Sequence, residues 1–438
     1  LEWALQDIDV PIACRLETLM NPNLRPIPRA GIAGVLVGVC VASVSLFAAP
    51  AQKPRVRAIT GFVKLDRAHY RQQIADTLQV LREAKADFEK GGYEVQSLRI
   101  TTQPFPEYIR GLSHEEALAF FRAYDALAAQ ESFAPNIGPA MLRDSDDPAA
   151  VELLGEILCK TKELGASVIV GDAEGIHWKS VRASARMLKY VEEHSPRSQG
   201  NFNFAVTAML EPYAPFYPGS YHTGEGRRFS VGLEGANVVE EVFTAHRGDP
   251  PAASAALAQI LGEHARALEA IARQVEKETG WMYMGIDATP APFRTVSIGK
   301  AIEALTGAPF GSSGTMTAAA AITAAVRSLP VQRIGYVGLM LPVLEDDLLA
   351  KRWDEGRYSI DSLLAYSAVC GTGLDTVPLP GDVSAEQLER IISDMATLAI
   401  KWHKPLSARL LPVQGKKAGD RTEFDDPFLA NAVIHPLP

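Results

Sequence analysis

The residues able to do chemistry fall into five groups. Pro218–Gly226 (PGSYHTGEG) sets His222 and Glu225 three apart among three glycines. Glycines let backbone approach a ligand closely, and a histidine and a carboxylate at that spacing can share a metal or act as a general-base pair; the plainer alternative is a surface turn with a solvated His222. Gly171–Trp178 (GDAEGIHW) puts Asp172, Glu174 and His177 on a glycine-bounded loop after an apolar stretch, ahead of Arg182 and Arg186. His177 could join either acid in proton transfer, or the segment is a solvated connection. Glu234, Asp287 and Asp375 are lone carboxylates in apolar surroundings. A buried carboxylate needs a partner, and strand ends build the active sites of parallel α/β proteins. These three, with His222, could converge on a divalent cation such as Mg²⁺ or Mn²⁺, which prefers oxygen ligands; otherwise each caps a turn.

The fourth group is Gly311, Ser312, Ser313, Gly314 and Thr315, opening an Ala-rich segment. Free N–H groups at a helix start suit the carboxylate or phosphate of a small substrate. No Gly-Lys-Ser/Thr follows, which excludes a Walker A loop, and a plain N-cap by Ser313 or Thr315 is the alternative. The fifth is Cys370 in Val369–Gly373 (VCGTG). Catalysis by Cys370 would require a base or helix terminus to depress its pKa, and no such partner is visible in the sequence; an inert core thiol is the alternative.

The elements that must position these groups alternate between strand-like and helix-like. Arg55–Val63 reads as a β-branched strand, and Asp66–Lys90 as a helix with apolar Ile74, Leu78, Leu81 and Ala84, stopped by Gly91-Gly92. Further strands are expected at 93–102, 166–170, 202–209, 228–233, 281–286, 333–337 and 406–412. Helices are expected at 148–164, 181–193, 252–279, 297–305, 315–328, 359–366 and 384–399, with another capped by Ser113. Ser113 with Glu116 and Ser384 with Gln387 form capping boxes. Such alternation implies βα units and a largely parallel sheet. No linker or fixed-period repeat divides residues 54–438, so one α/β domain is expected there.

The 438 residues are 47% hydrophobic and carry a net charge of −9, enough apolar chain for a sizeable core and no basic stripe for nucleic acid. Cys14, Cys40, Cys159 and Cys370 match no zinc spacing. Residues 30–47 form an apolar or small-residue run after Arg25 and Arg29, and Ala48-Ala49-Pro50-Ala51 follows. This is the order of a secretory signal. Residues 20–51 are read as that signal, with translation from Met20, and 1–19 as an upstream extension. The chain is then periplasmic or secreted. A retained membrane anchor is the alternative, since the run is near the lower limit for a span.

The blocks SVGLEGA (230–236), GIDATPAP (285–292), GSSGTMTAA (311–319), AVCGTGLDTVPLP (368–380) and GSYHTGEG (219–226) resemble, in order and spacing, the DUF711 (UPF0210) family across roughly residues 55–438. The resemblance implies a ten-stranded α/β barrel like that of the pyruvate formate-lyase-like glycyl radical enzymes, without their glycyl radical motif. Arg333-Ile334-Gly335-Tyr336 is one residue short of that motif and far from the C-terminus. The expected function is an enzyme acting on a small polar or anionic molecule, with His222, Glu225, Cys370 and His177 as acid–base or nucleophilic groups. Gly311–Thr315 would hold the anion, and Glu234, Asp287 and Asp375 a cation. The alternative is a non-catalytic periplasmic binding protein; a homo-oligomer is left open.

Overall fold

The computed structural model describes residues 52–369 and 371–437. The expected leader and Cys370 lie outside the described residues. Ten strands form one sheet: β1 (Arg55–Val63), β2 (Leu98–Thr102), β3 (Ala134–Pro139), β4 (Gly165–Asp172), β5 (Gly175–Ile176), β6 (Phe204–Ala208), β7 (Arg228–Glu234), β8 (Met282–Ala291), β9 (Gly373–Pro380) and β10 (Leu406–Val413). Their order is β8-β7-β1-β2-β3-β4-β6-β10-β9, with β5 paired to β4. β1, β2, β3, β4 and β6 run parallel. The parallel pairs β7–β8 and β10–β9 run the other way, joined to the first set through antiparallel β1–β7 and β6–β10 contacts. One end of the sheet therefore collects the N-termini of the first five strands and the C-termini of the other four.

Helices form where the spacing predicts them. Tyr70–Lys90 buries Ile74, Thr77, Leu78, Leu81, Ala84 and Phe88, a stripe at three- and four-residue intervals. It packs on β1 where Gly61 leaves room: a Cβ there would meet Thr77 and Leu81 at 3.2 and 3.4 Å. Both capping boxes are present, Ser113 with Glu116 and Ser384 with Gln387. The helix Pro250–Thr279 starts on the Asp249 side chain and stops at Gly280, whose φ of +71° suits glycine.

The opposite face of the sheet receives a chain segment rather than helices. Thr60 and Ala58 alternate with Gly61 along β1 and so face away from that helix. Gly232, paired with Ala58, lies against Pro215. Residues 210–222 thus pack on this inner face. Asn136 Nδ2 on β3 donates to the carbonyls of Pro218 (2.7 Å) and Ser220 (3.1 Å), and His222 N donates to Thr102 O at 3.0 Å.

Residues 333–337, expected as a strand, form an isolated bridge instead. Arg333 pairs with Ile286 of β8, and further along the same segment Pro342 pairs with Asp375 of β9. Gly335 and Val337 both take positive φ, which breaks the pleat that the β-branched pattern suggests. Conversely, β3 (APNIGP) and β9 (GLDTVPLP) are strands despite their prolines and glycines. β3 carries a register shift between Asn136 and Pro139, and β9 ends the sheet order. Bulges and edges are where proline is tolerated.

Candidate functional site

Three strands carry an arginine in an otherwise apolar stretch: Arg57 on β1, Arg99 on β2 and Arg409 on β10. Two of them meet at Glu345, which the 333–346 segment delivers between β8 and β9. Arg409 Nη2 donates to Glu345 Oε1, and Arg57 Nη2 lies 3.5 Å from Glu345 Oε2. Arg409 Nε also holds Asp375 Oδ1 at 2.6 Å. Arg57 Nη1 and Arg55 Nη1 each lie 3.3 Å from a Glu234 oxygen, and Gln96 Nε2 donates to Glu234 at 2.6 Å. Glu234, Glu345, Asp375 and Arg409 are 1%, 4%, 0% and 4% exposed, so these charges are out of water and stand only because they are paired. Aromatic rings flank them: Phe202 and Phe216 at 5.1 and 5.9 Å from the Arg409 guanidinium, Phe293 and Phe428 at 5.0 and 5.9 Å from that of Arg57.

The electrostatics are uneven. Burial pushes the Asp375 carboxyl above the usual carboxylate range; Arg409 pulls it back, and Glu345 pushes the same way as burial. One cation is shared by two carboxylates. Burial also opposes the Arg409 charge, but Asp375 and Glu345 outweigh it and hold the guanidinium protonated. Arg99 differs from both neighbours. Its guanidinium contacts the Ser97 hydroxyl (3.3 Å), the Pro215 carbonyl (3.1 Å) and the Tyr217 ring (5.7 Å). Among the described residues no carboxylate lies within ion-pair distance of it. Burial, reinforced by Arg57, brings its pKa down to about 9. A partly exposed arginine without an anion is the natural receiver of one.

Three polar atoms of residues next to β10 are buried without a hydrogen-bond partner: Asp375 Oδ2, the Tyr336 hydroxyl and Thr207 Oγ1. Leaving such an atom buried and unmade costs about 1–3 kcal/mol. Tyr336 approaches Ser407 without reaching hydrogen-bond geometry, and the Ser407 hydroxyl already donates to Thr372 O at 2.9 Å. A surface cavity of about 420 Å³ lies elsewhere, between Trp353, Arg357, Tyr358, Asp361 and His435. It holds no comparable set of buried charges, so the arginine–carboxylate cluster is the better candidate.

Residues 50–425 match the family described as "Uncharacterised ACR (DUF711)". The chain belongs to the DUF711 family. A UPF0210 protein of Pyrobaculum aerophilum is 36% identical over 288 residues, covering 63% of this chain and 62% of that one. A UPF0210 protein of Pyrobaculum arsenaticum is 30% identical over 352 residues, 76% of each chain. The match thus spans less than two thirds of the first relative's length. Among solved structures, the anaerobic ribonucleotide reductase from Thermotoga maritima in complex with dATP and CTP aligns at a TM-score of 0.41 and 8% identity, over 81% of this chain and 75% of that one. That likeness is too slight to carry an argument.

The residues singled out in the DUF711 sequence are dispersed. Glu234 and Asp375 fall in one network, joined through Glu345, and their oxygens face arginines and Gln96. Asp287 serves β8 and the 333–346 segment: it accepts from Thr289 N at 3.0 Å, Tyr336 N at 2.9 Å and Val337 N at 3.3 Å. Gly335 is needed beside it, because a Cβ at that positive φ would strike the Asp287 carboxylate. Among the described residues, no three His, Cys, Asp or Glu side chains are grouped to hold a metal. His222 and Glu225 are separated. His222 is fully buried beside Tyr213, at 5.6 Å between rings, with neither ring nitrogen in hydrogen-bond geometry. Burial, then Arg228, lower its pKa to about 4. Glu225 is exposed and pairs with Lys64.

His177 and Asp172 do come together, Nε2 to Oδ2 at 3.1 Å, with Nδ1 facing Ile169 O at 3.3 Å. They stand at the C-terminal end of β4, the opposite end of the sheet from the arginines. Gly311–Thr315 opens the helix Thr315–Arg327 from a left-handed Gly314. The Thr315 hydroxyl accepts from Gly311 N at 3.1 Å, and a Cβ on Gly311 would strike the Arg357 carbonyl. None of these contacts reaches the arginine cluster.

Arg57, Arg99, Glu345 and Arg409 were missed by sequence reasoning, which weighed polar residues among glycines. A signal was available. An arginine at an alternating position in an apolar strand must either face water or face a polar interior, and β10 is buried throughout while β1 and β2 are buried over most of their length.

Proposed function

We propose that this chain is an enzyme acting on a small polar or anionic molecule, whose carboxylate or phosphate is received by Arg99. The observation that carries the reading is that guanidinium: partly buried, next to Arg57, and matched only by neutral groups. Arg55, Arg57 and Arg409 are ion-paired with Glu234, Glu345 and Asp375, three cations to three anions, so Arg99 is the cation left over. Support for catalysis over simple capture comes from the described residues between 52 and 437, which group as one compact unit rather than two lobes about a hinge. No helix among the described residues is long and apolar enough to cross a membrane. Export of the chain is proposed on the order of residues 25–51 alone.

The reading includes a closed ten-stranded barrel. Its support is the reach of Glu345. β1 and β10 are five places apart in the sheet order, roughly 24 Å if flat, yet one carboxylate contacts arginines from both. The test is a thermal-melt screen of small mono- and dicarboxylates and phosphate esters against the parent chain and Arg99→Gln. A ligand that binds only the folded chain raises its midpoint by mass action. At least one acid class should do so for the parent and not for the variant. Equal shifts in both, or none in either, would remove Arg99 from the reading.

A further inference from the structure

We infer that the same ligand carries a hydroxyl or carbonyl oxygen beside its anionic group, and that Thr207, Tyr336 and Asp375 form the subsite that takes that oxygen. This rests on the anion-binding reading. The three side chains come from separate parts of the chain: β6, the 333–346 segment and β9. They are 0%, 2% and 0% exposed, and each has an oxygen with no partner. They gather around β10. Ser407 lies directly opposite Thr207 in register, Tyr336 approaches Ser407, and Asp375 is bonded to Arg409 through its other oxygen. The Phe216 ring links Tyr336 to the charge cluster, 4.9 Å from the Tyr336 ring and 5.9 Å from the Arg409 guanidinium. Arg99 donates to the carbonyl of Pro215 at 3.1 Å, the residue before Phe216 in the chain, which places the subsite beside the proposed anion seat.

The chemistry of the three groups selects the partner. Two hydroxyls can donate or accept, and a carboxyl oxygen can accept or, when protonated, donate. With Arg409 already claimed by Asp375 and Glu345, a second anionic group would meet two carboxylates and be repelled. A neutral oxygen meets donors and acceptors. The ligand class is thus a short acid or phosphate ester bearing an alcohol or ketone. The competing occupant is ordered water, which would satisfy the same atoms.

Matched pairs separate the two. Lactate and pyruvate against propionate, and glycerol phosphate against propyl phosphate, would be titrated calorimetrically into the parent chain, Thr207→Val, Tyr336→Phe and Arg99→Gln. A site built around a ligand hydroxyl rejects the analogue lacking it. The oxygen-bearing member should bind about tenfold tighter or more in the parent. That preference should collapse in Thr207→Val and Tyr336→Phe while propionate or propyl phosphate binding is kept, and Arg99→Gln should weaken both members. Equal binding within every pair, or a preference untouched by the two variants, would assign the orphan atoms to water and overturn the inference while leaving the anion reading standing. Failure of every probe to bind the parent chain would overturn both.

Discussion

The glycine-flanked His222 segment and the arginine–carboxylate cluster are both buried and polar, yet they are opposites. His222 sits in an apolar setting, its ring nitrogens unpartnered and its pKa lowered to about 4 by burial. It is neutral at ordinary pH and faces the Tyr213 ring. The cluster holds three buried carboxylates matched by arginines, with one further arginine left over. A histidine among glycines is eye-catching in sequence but here is part of the packing that fills the inner face of the sheet. Arginines in apolar strands are easily passed over, yet they can be buried only if the fold brings them counter-charges.

The sharpest way to break the contrast is to remove the cation at its centre. Arg409→Met leaves Glu345 and Asp375 buried without their common partner and should destabilise the chain by about 3–5 kcal/mol, read as a lower urea midpoint. Next is His222. Its folded pKa lies below its ordinary value, so between pH 6.5 and about 4 the unfolded state binds the extra proton and stability falls as pH falls. The loss is on the order of 3 kcal/mol by pH 4. Urea midpoints across that range should drop less steeply in His222→Leu than in the parent; identical slopes would mean that the ring is not held neutral.

Asp375 has the opposite sign. Its pKa is raised on folding, so the folded state holds the extra proton above the ordinary carboxylate range. Stability should therefore decline as pH rises from about 3.9 through its folded value. Asp375→Asn should flatten that limb of the profile. The smallest effect is expected at Lys64 and Glu225, an exposed pair. Glu225→Gln should leave both the melting midpoint and its pH profile unchanged, which would separate Glu225 from His222 as an acid–base partner.

The strand and helix order was legible because apolar spacing and capping residues act locally. β1, the capping boxes at Ser113 and Ser384, and the Gly280 stop all follow from neighbours a few residues away. β3 and β9 were hidden because a bulge and a sheet edge are tertiary facts that excuse proline. The site was mostly illegible for a related reason. Glu345 lies 288 residues from Arg57 and 64 from Arg409, and no local pattern marks it. Glu234 and Asp375 were found as lone acids needing partners, a sound inference from desolvation, but the expected partner was a cation from solution rather than arginines of the chain. The block GIDATPAP, which helps carry the resemblance, holds Asp287 in a structural role, so membership was readable where function was not.

The most direct test of the central claim is to watch the guanidinium resonances by ¹⁵N NMR while a binding acid from the screen is titrated in. Arg409→Lys and Arg99→Lys would assign the two side chains. The Arg99 Nε–H should move with ligand concentration while that of Arg409, already held by Asp375 and Glu345, stays nearly still. A titration in which Arg99 does not move while the ligand binds elsewhere would contradict it.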